Sequence, residues 1–196
     1  MAASDTVAFP RVAGHPALDL VDTVHWRLDP DRAIDTLRDF DDVVSWCRQM
    51  DVGARAASAA TSMRTADLDV AAREHRAVVA LREAIYEAVF EQSPAAADLI
   101  AREHVDALGR SSLRLDDAAS AWAWEPPDDL SGPRAAIAMS AHQLLTSDLT
   151  TARQCADDAC GWVYLDRSPR GNRIWCTAAG CGNRNRVARH QAKRKA

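Results

Sequence analysis

Cys155-Ala156-Asp157-Asp158-Ala159-Cys160 and Cys176-Thr177-Ala178-Ala179-Gly180-Cys181 are the two stretches that decide how this chain is read. Each holds two cysteines with four residues between them, and fifteen residues, Gly161 to Trp175, separate the pairs. A C-x4-C segment can close a tight loop that brings two thiolates to one point. Two such loops meeting face to face supply four sulfurs in a tetrahedron, the arrangement of a closed structural Zn²⁺ site. No histidine lies inside either loop, so the ligand set expected is Cys155, Cys160, Cys176 and Cys181, around one zinc ion. Such a centre carries a formal charge of about −2, which nearby backbone N–H groups and arginines would offset. Two disulfides, an iron–sulfur cluster or buried free thiols use the same residues. Paired cysteines in a chain with no secretion signal favour metal over crosslinks. The fifteen-residue spacer is long enough to run out and back as a short hairpin or loop.

Downstream of Cys181 runs Gly182-Asn183-Arg184-Asn185-Arg186-Val187-Ala188-Arg189-His190-Gln191-Ala192-Lys193-Arg194-Lys195, fourteen residues with six Lys/Arg and no acid. Asn183 can cap a helix. Arg186, Arg189, His190 and Lys193 then recur at i, i+3, i+4 and i+7, a cationic stripe that suits a phosphate backbone or a major groove. Arg184, Arg186, Arg189, His190, Lys193 and Arg194 are the candidate nucleic-acid contacts, with DNA the expected partner. A solvated, frayed terminus is the bland reading of the same charge.

The residues together resemble a known family. Cys155-x4-Cys160-Gly161-Trp162-x-Tyr164-x-Asp166-x-Ser168, followed by Arg173-x-Trp175-Cys176-x4-Cys181-Gly182-Asn183-Arg184, is similar to the CGNR zinc finger, named for its last four residues. Near the other end, Leu18-Asp19-Leu20-Val21-Asp22-Thr23-Val24 resembles the start of the ABATE domain, the usual N-terminal partner of that finger. Family members more often carry Asn where Asp22 stands. The resemblance implies a stress-induced transcriptional regulator with a zinc-dependent DNA-binding finger.

Charge is distributed unevenly. From Arg153 onward there are ten Lys+Arg and three Asp+Glu, a balance of +7, so residues 1–152 hold 14 basic and 25 acidic residues, a balance of −11. Only the C-terminal end is therefore expected to meet a polyanion. An ordinary apolar fraction of 47% argues against general disorder. No run is long enough to span a bilayer and Met1 opens no signal peptide, so a cytoplasmic protein without membrane contact is expected.

The fold class expected is mainly α. A helical ABATE-like domain over residues 1–149, with a small β-hairpin, precedes a finger module over residues 150–196 that ends in a basic helix. Met1 to Val12 reads as a loose lead-in. Pro16 opens a helix on which Ala17, Leu18, Val21, Val24 and Leu28 recur at helical spacing. Asp19 and Asp22 sit three apart, read as a hydrogen-bonded or solvated face rather than a ligand pocket. Asp39 caps a helix carrying Phe40, Val43, Val44, Cys47 and Met50, with Cys47 a packed core thiol. An Ala-rich helix covers Gly53 to Met63. A longer one starts at Thr65 or Asp67 and runs to Gln92, with Arg73, Glu74, Arg82, Glu83 and Glu87 on its outer side and His75 and Arg76 solvated. Ser93-Pro94 restarts a helix that stops at Gly109. Leu113-Arg114-Leu115 and Ala121-Trp122-Ala123-Trp124 alternate as a hairpin, with both indoles on one face packed against the helices. After Pro126-Pro127, a helix from Arg134 to about Ser147 and a short strand from Thr150 to Gln154 lead into the finger. Trp162 and Trp175 are expected to shield the sulfurs, and Asp166 to organise the turn and pair with Arg170 or Arg173.

The reading that follows is a DNA-binding regulator whose helical body senses a small-molecule effector or mediates association as a homodimer. A zinc-stapled module for protein or RNA contact is the alternative. No enzyme is expected: the chain has no nucleophile motif and no phosphate-cradling glycine loop, and a four-cysteine site leaves no coordination position for water.

Overall fold

The computed structural model describes residues 8–64, 67–116 and 120–195. Among these, seven α-helices form the bulk of the molecule, with three two-stranded antiparallel ribbons at its margins. The first is α1 (Pro16–Val21), short but buried along Ala17–Val21. Its entry is fixed by His15, whose Nδ1 accepts from the Ala17 N–H at 3.2 Å, and by Asp19, which accepts from the N–H groups of Val12 and Ala13 at 2.8 and 2.9 Å.

The apolar spacing through Val24 and Leu28 does not continue this helix. Asp22 caps α1, Val24–His25 forms strand β1 against β2 (Ile34–Asp35), and Leu28 is exposed. Two β-branched residues follow the capping Asp22, and the Asp22 side chain is drawn away to a backbone group 141 residues downstream.

Helix α2 (Phe40–Met50) starts where Asp39 accepts from the Asp42 N–H at 3.0 Å. It buries Phe40, Val43, Val44, Trp46, Cys47 and Met50, and burial pushes the Cys47 thiol up to about 12. A left-handed Gly53 turns the chain into α3 (Ala54–Met63). The long α4 (Leu68–Tyr86) is capped by Asp67, continues through a π-helical turn at Glu87–Glu91 and ends at a left-handed Gln92. A start at Thr65 lies outside the described residues.

Several residues assigned to the outer side of α4 are engaged instead, Glu74 with Arg134 and Glu83 with Arg27 among them. Arg82 is 3% exposed and clamps Asp35 through two 2.8 Å bonds, with further bonds to Thr23 and Glu83. His75 Nε2 lies 2.8 Å from the Leu37 carbonyl oxygen. A guanidinium can be buried when a carboxylate meets it in a bidentate fork, which helical periodicity alone does not reveal.

Helix α5 (Pro94–Arg110) runs past Gly109, which is accommodated within the last turn. Strands β3 (Ser112–Asp116) and β4 (Ala121–Glu125) pair Leu113 with Trp124 and Leu115 with Trp122. The hairpin is where it was expected, but its apolar face is turned outward. Trp122 and Trp124 are 67% and 49% exposed, and Leu113 and Leu115 are 50% exposed. Its other face is held by ion pairs from Glu125 to Arg55 and Arg114. Helix α6 (Gly132–Leu145) is the centre of the core, packed against α5, α3, α4 and α1, with Ile137, Ala138, Ala141 and Leu144 fully buried.

Strand β5 (Ala152–Gln154) pairs with β6 (Val163–Leu165), so this ribbon brackets the first cysteine loop instead of lying between the two loops. A second π-helical turn, Ala178–Gly182, leads into α7 (Asn183–Lys195). The finger has no separate core. Val163 and Tyr164 are fully buried in the same apolar cluster as α1.

Candidate metal centre and basic helix

The ribbon β5–β6 carries Cys155 just beyond one strand and Cys160 just before the other. The Cys155 N–H donates to the Trp162 carbonyl oxygen at 2.8 Å, and the Cys160 N–H to that of Asp157 at 3.0 Å, closing the first loop. The second loop is the turn Thr177–Gly182, where Thr177 Oγ1 accepts from the Gly180 N–H at 3.0 Å. The two loops face each other. All four Sγ atoms are buried and lie within 4.8 Å of one another. The Cys160–Cys176 and Cys176–Cys181 sulfurs are 3.8 and 3.4 Å apart, with no disulfide among them. A tetrahedron with Zn–S near ~2.3 Å requires sulfurs ~3.8 Å apart. The donor set therefore fits one zinc ion, closed to further ligands.

The negative charge of such a centre is met from both sides. Cys155 Sγ accepts from the Cys176 N–H at 3.4 Å, and Cys181 Sγ accepts from Arg184 Nη2 at 2.9 Å. Arg184 is thereby held back against the first cysteine loop, with its side chain still 41% exposed. Its Nε and Nη2 also donate to Asp157 at 3.1 and 2.9 Å, and its guanidinium lies 4.3 Å from the Trp26 ring centroid. Asn185 Nδ2 donates to the same Asp157 oxygen at 2.6 Å. Asp157 thus ties the root of α7 to the first cysteine loop. Sequence reasoning missed it, because Asp157-Asp158 looks like any polar loop. The only hint was an acidic residue inside a basic module.

Farther along α7 the described basic side chains project into solvent. Arg186, Arg189, His190, Lys193 and Arg194 are all exposed. Among the described residues Arg186 bonds to Asn183 at 2.6 Å, and Arg189 to the Asn185 carbonyl oxygen at 3.4 Å. Helix α7 packs against its own root turn and has no comparable contact with the helical body.

Asp166 organises its turn, accepting from the N–H groups of Ser168 and Arg173, both at 2.9 Å. The Ser168 side chain, together with these backbone bonds, holds its carboxyl below the usual range. The pairing expected with an arginine side chain is absent. The Arg173 guanidinium stacks 3.9 Å from the Tyr164 ring centroid and donates to the carbonyls of Val12, Trp175 and Cys176.

The seam between finger and body is hydrogen-bonded through backbone. Val163 N–H donates to Asp22 Oδ1 at 2.8 Å, Leu165 N–H to the Ala13 carbonyl at 2.8 Å, and Arg27 N–H to that of Cys160 at 3.0 Å. The Trp162 indole N–H donates to the Val24 carbonyl at 3.1 Å. Gly161, at φ +70°, permits this approach: a Cβ there would stand 2.7 Å from Arg27 Cβ and 3.0 Å from Leu28 Cγ. The expected polar face of Asp19 and Asp22 is accordingly hydrogen-bonded and buried.

This geometry agrees with two family matches. Residues 152–194 match the CGNR zinc finger, and residues 14–148, more than two thirds of the chain, match ABATE, described as "Putative stress-induced transcription regulator". The chain belongs to the ABATE family. In this ABATE protein the four cysteines that could bind one zinc ion all lie inside the CGNR match. A search of curated proteins returned no match. No described helix is long and apolar enough to cross a membrane.

Proposed function

We propose that this ABATE protein is a zinc-dependent DNA-binding regulator, in which α7 contacts the duplex and the helical body sets its response. The observation that carries this reading is the helix itself: cationic, exposed from Arg186 through Arg194, and rooted beside the four-sulfur centre. An isolated thirteen-residue helix with so little apolar surface is marginal in water. Zinc and the Asp157–Arg184 pair fix its first turn, and a phosphate backbone would satisfy its charge. The body, at −11, would be repelled by the same polyanion, so contact is confined to the finger. The four-cysteine donor set leaves no position for substrate, which favours a regulator over an enzyme. Action in the cytoplasm, where thiols stay reduced, suits the same reading.

The test is duplex-DNA titration of the zinc-loaded protein across a range of salt. With Arg186, Arg189, Lys193 and Arg194 as four phosphate contacts, the log–log slope should be about −3.6, and affinity should fall about a hundredfold for a fourfold rise in salt. Arg186→Ala/Arg189→Ala should halve the slope to about −1.8. A protein that shows no DNA binding at low salt, or one that binds RNA or a protein partner through the same helix instead, overturns the reading.

A further inference from the structure

The hairpin β3–β4 carries an apolar face that its own chain leaves uncovered. Leu113 and Leu115 on β3 lie opposite Trp124 and Trp122 on β4, so a row of two leucines runs beside a row of two indoles. All four side chains are about half exposed or more, and neither indole joins the core cluster. Arg114, Ala121 and Ala123, on the opposite face, are exposed as well, and the Arg55–Glu125 ion pair ties the ribbon down at its base. A two-stranded ribbon alone is marginal in water and is stabilised when its apolar face packs against another layer. A contiguous exposed apolar face of this kind marks an interaction site more often than an accident of folding.

We propose that this face is covered by the same face of a second copy of the chain, in a two-fold dimer whose hairpins stack face to face. Shape, area and charge select that occupant. The face is self-complementary. With the two-fold axis along the strands, each copy's leucine row lies over the indole row of the other, Leu115 over Trp122 and Leu113 over Trp124, a smaller side chain against a larger one at every contact. The four side chains expose roughly 400–500 Å² per copy, so pairing removes roughly 800–1,000 Å² in total. That is below the ~1,200 Å² of a standard stable interface, and it suits a dimer that forms in the micromolar range and dissociates on dilution. The face is uncharged, whereas residues 1–152 around it balance at −11. An anionic lipid surface or a nucleic acid would press dense negative charge on those acidic flanks. A second copy brings a net charge of only −4, spread over its whole surface. The dimer stands without the DNA-binding reading above; on that reading, it offers two copies of α7 to one duplex.

The experiment is sedimentation velocity of the full zinc-loaded chain across protein concentration. The parent should pass from monomer at ~1 μM to dimer at ~200 μM. Trp122→Thr/Trp124→Thr keeps strand-forming residues at both positions and should remain monomeric throughout, with the circular dichroism of the parent. A charge exchange tests the seating. Leu115→Lys and Trp122→Glu should each be monomeric alone, and an equimolar mixture of the two should restore the dimer, because Lys then meets Glu at one contact while the native pair is kept at the other. A parent still monomeric at ~200 μM overturns the dimer. Its flotation with phosphatidylglycerol vesicles, lost in the double Thr variant, would then assign the face to a lipid surface. A dimer that survives Trp122→Thr/Trp124→Thr overturns the hairpin as the interface. A mixture that fails to associate overturns the placement of Leu115 over Trp122 of the second copy.

Discussion

Replacing Asp22 by Asn should make this protein more stable at neutral pH, and the gain should fade in acid. Asp22 is fully buried at the seam. Its Oδ1 accepts from the Val163 N–H, but Oδ2 is buried with no partner. Burial pushes its carboxyl well above the usual range, against the pull of the Val163 bond, and the nearby Asp19 adds to the rise. The sign follows from linkage. A carboxyl whose folded-state pKa lies above its unfolded value of ~3.9 contributes its full stability below that value. That stability is lost as pH rises toward the folded pKa, because ionisation then favours the unfolded chain. Asp22→Asn keeps the Oδ1 acceptor and the shape while removing the charge. The amide Nδ2 takes the place of Oδ2 and is also without a partner, so the gain comes only from no longer holding an ionised carboxyl out of water, on the order of ~1–3 kcal/mol near pH 7. At ~2–4 °C per kcal/mol for a chain of this size, that is a rise of several degrees in Tm. Paired thermal melts of both zinc-loaded proteins, taken from about pH 4 to about pH 8, read it directly. A variant that melts lower than the parent at pH 7, or a difference that does not shrink toward acid, would refute the reasoning.

Metal analysis should find one zinc per chain, and chelation should unfold residues 152–194, read as a red shift of Trp162 and Trp175 fluorescence. A stoichiometry near zero with the four thiols oxidised to disulfides would sink the centre. Gly161→Ala should cost ~2–4 kcal/mol in urea denaturation, combining left-handed strain with the clash on Arg27. Gly171→Ala shares the strain, at φ +57°, but meets open space, so it should cost only ~1 kcal/mol, and equal losses would dismiss the seam contact. Trp122→Thr and Trp124→Thr should change stability by no more than ~0.5 kcal/mol each, since both indoles face solvent. Losses of ~3–5 kcal/mol, typical of a core aromatic, would restore the inward-facing reading of the hairpin.

Much of the molecule was legible because its signals are local. Asp39, Asp67 and the Ser93-Pro94 pair marked helix starts, and each side chain accepts from an N–H within its own first turn. Cysteine spacing named the sulfur cluster for the same reason: a loop of four residues can close in few ways. Where the reading failed, the deciding partner lay far along the chain. The helix ended at Asp22 because that carboxylate serves Val163, and Arg82 is buried because Asp35, on another element, meets its fork. Trp122 and Trp124 were assigned to one face, as they are, but alternation along a strand does not say which face meets the body.

By itself, the sequence determined the helical body, the four sulfurs and the positive charge beyond them. It did so through patterns that repeat over a few residues. Only the tertiary structure decided that the finger is welded to α1 and that Asp157 ties Arg184 and Asn185, at the root of α7, to the first cysteine loop. Those outcomes depend on which groups meet across more than a hundred residues of chain, and on which buried donors and charges find a partner there.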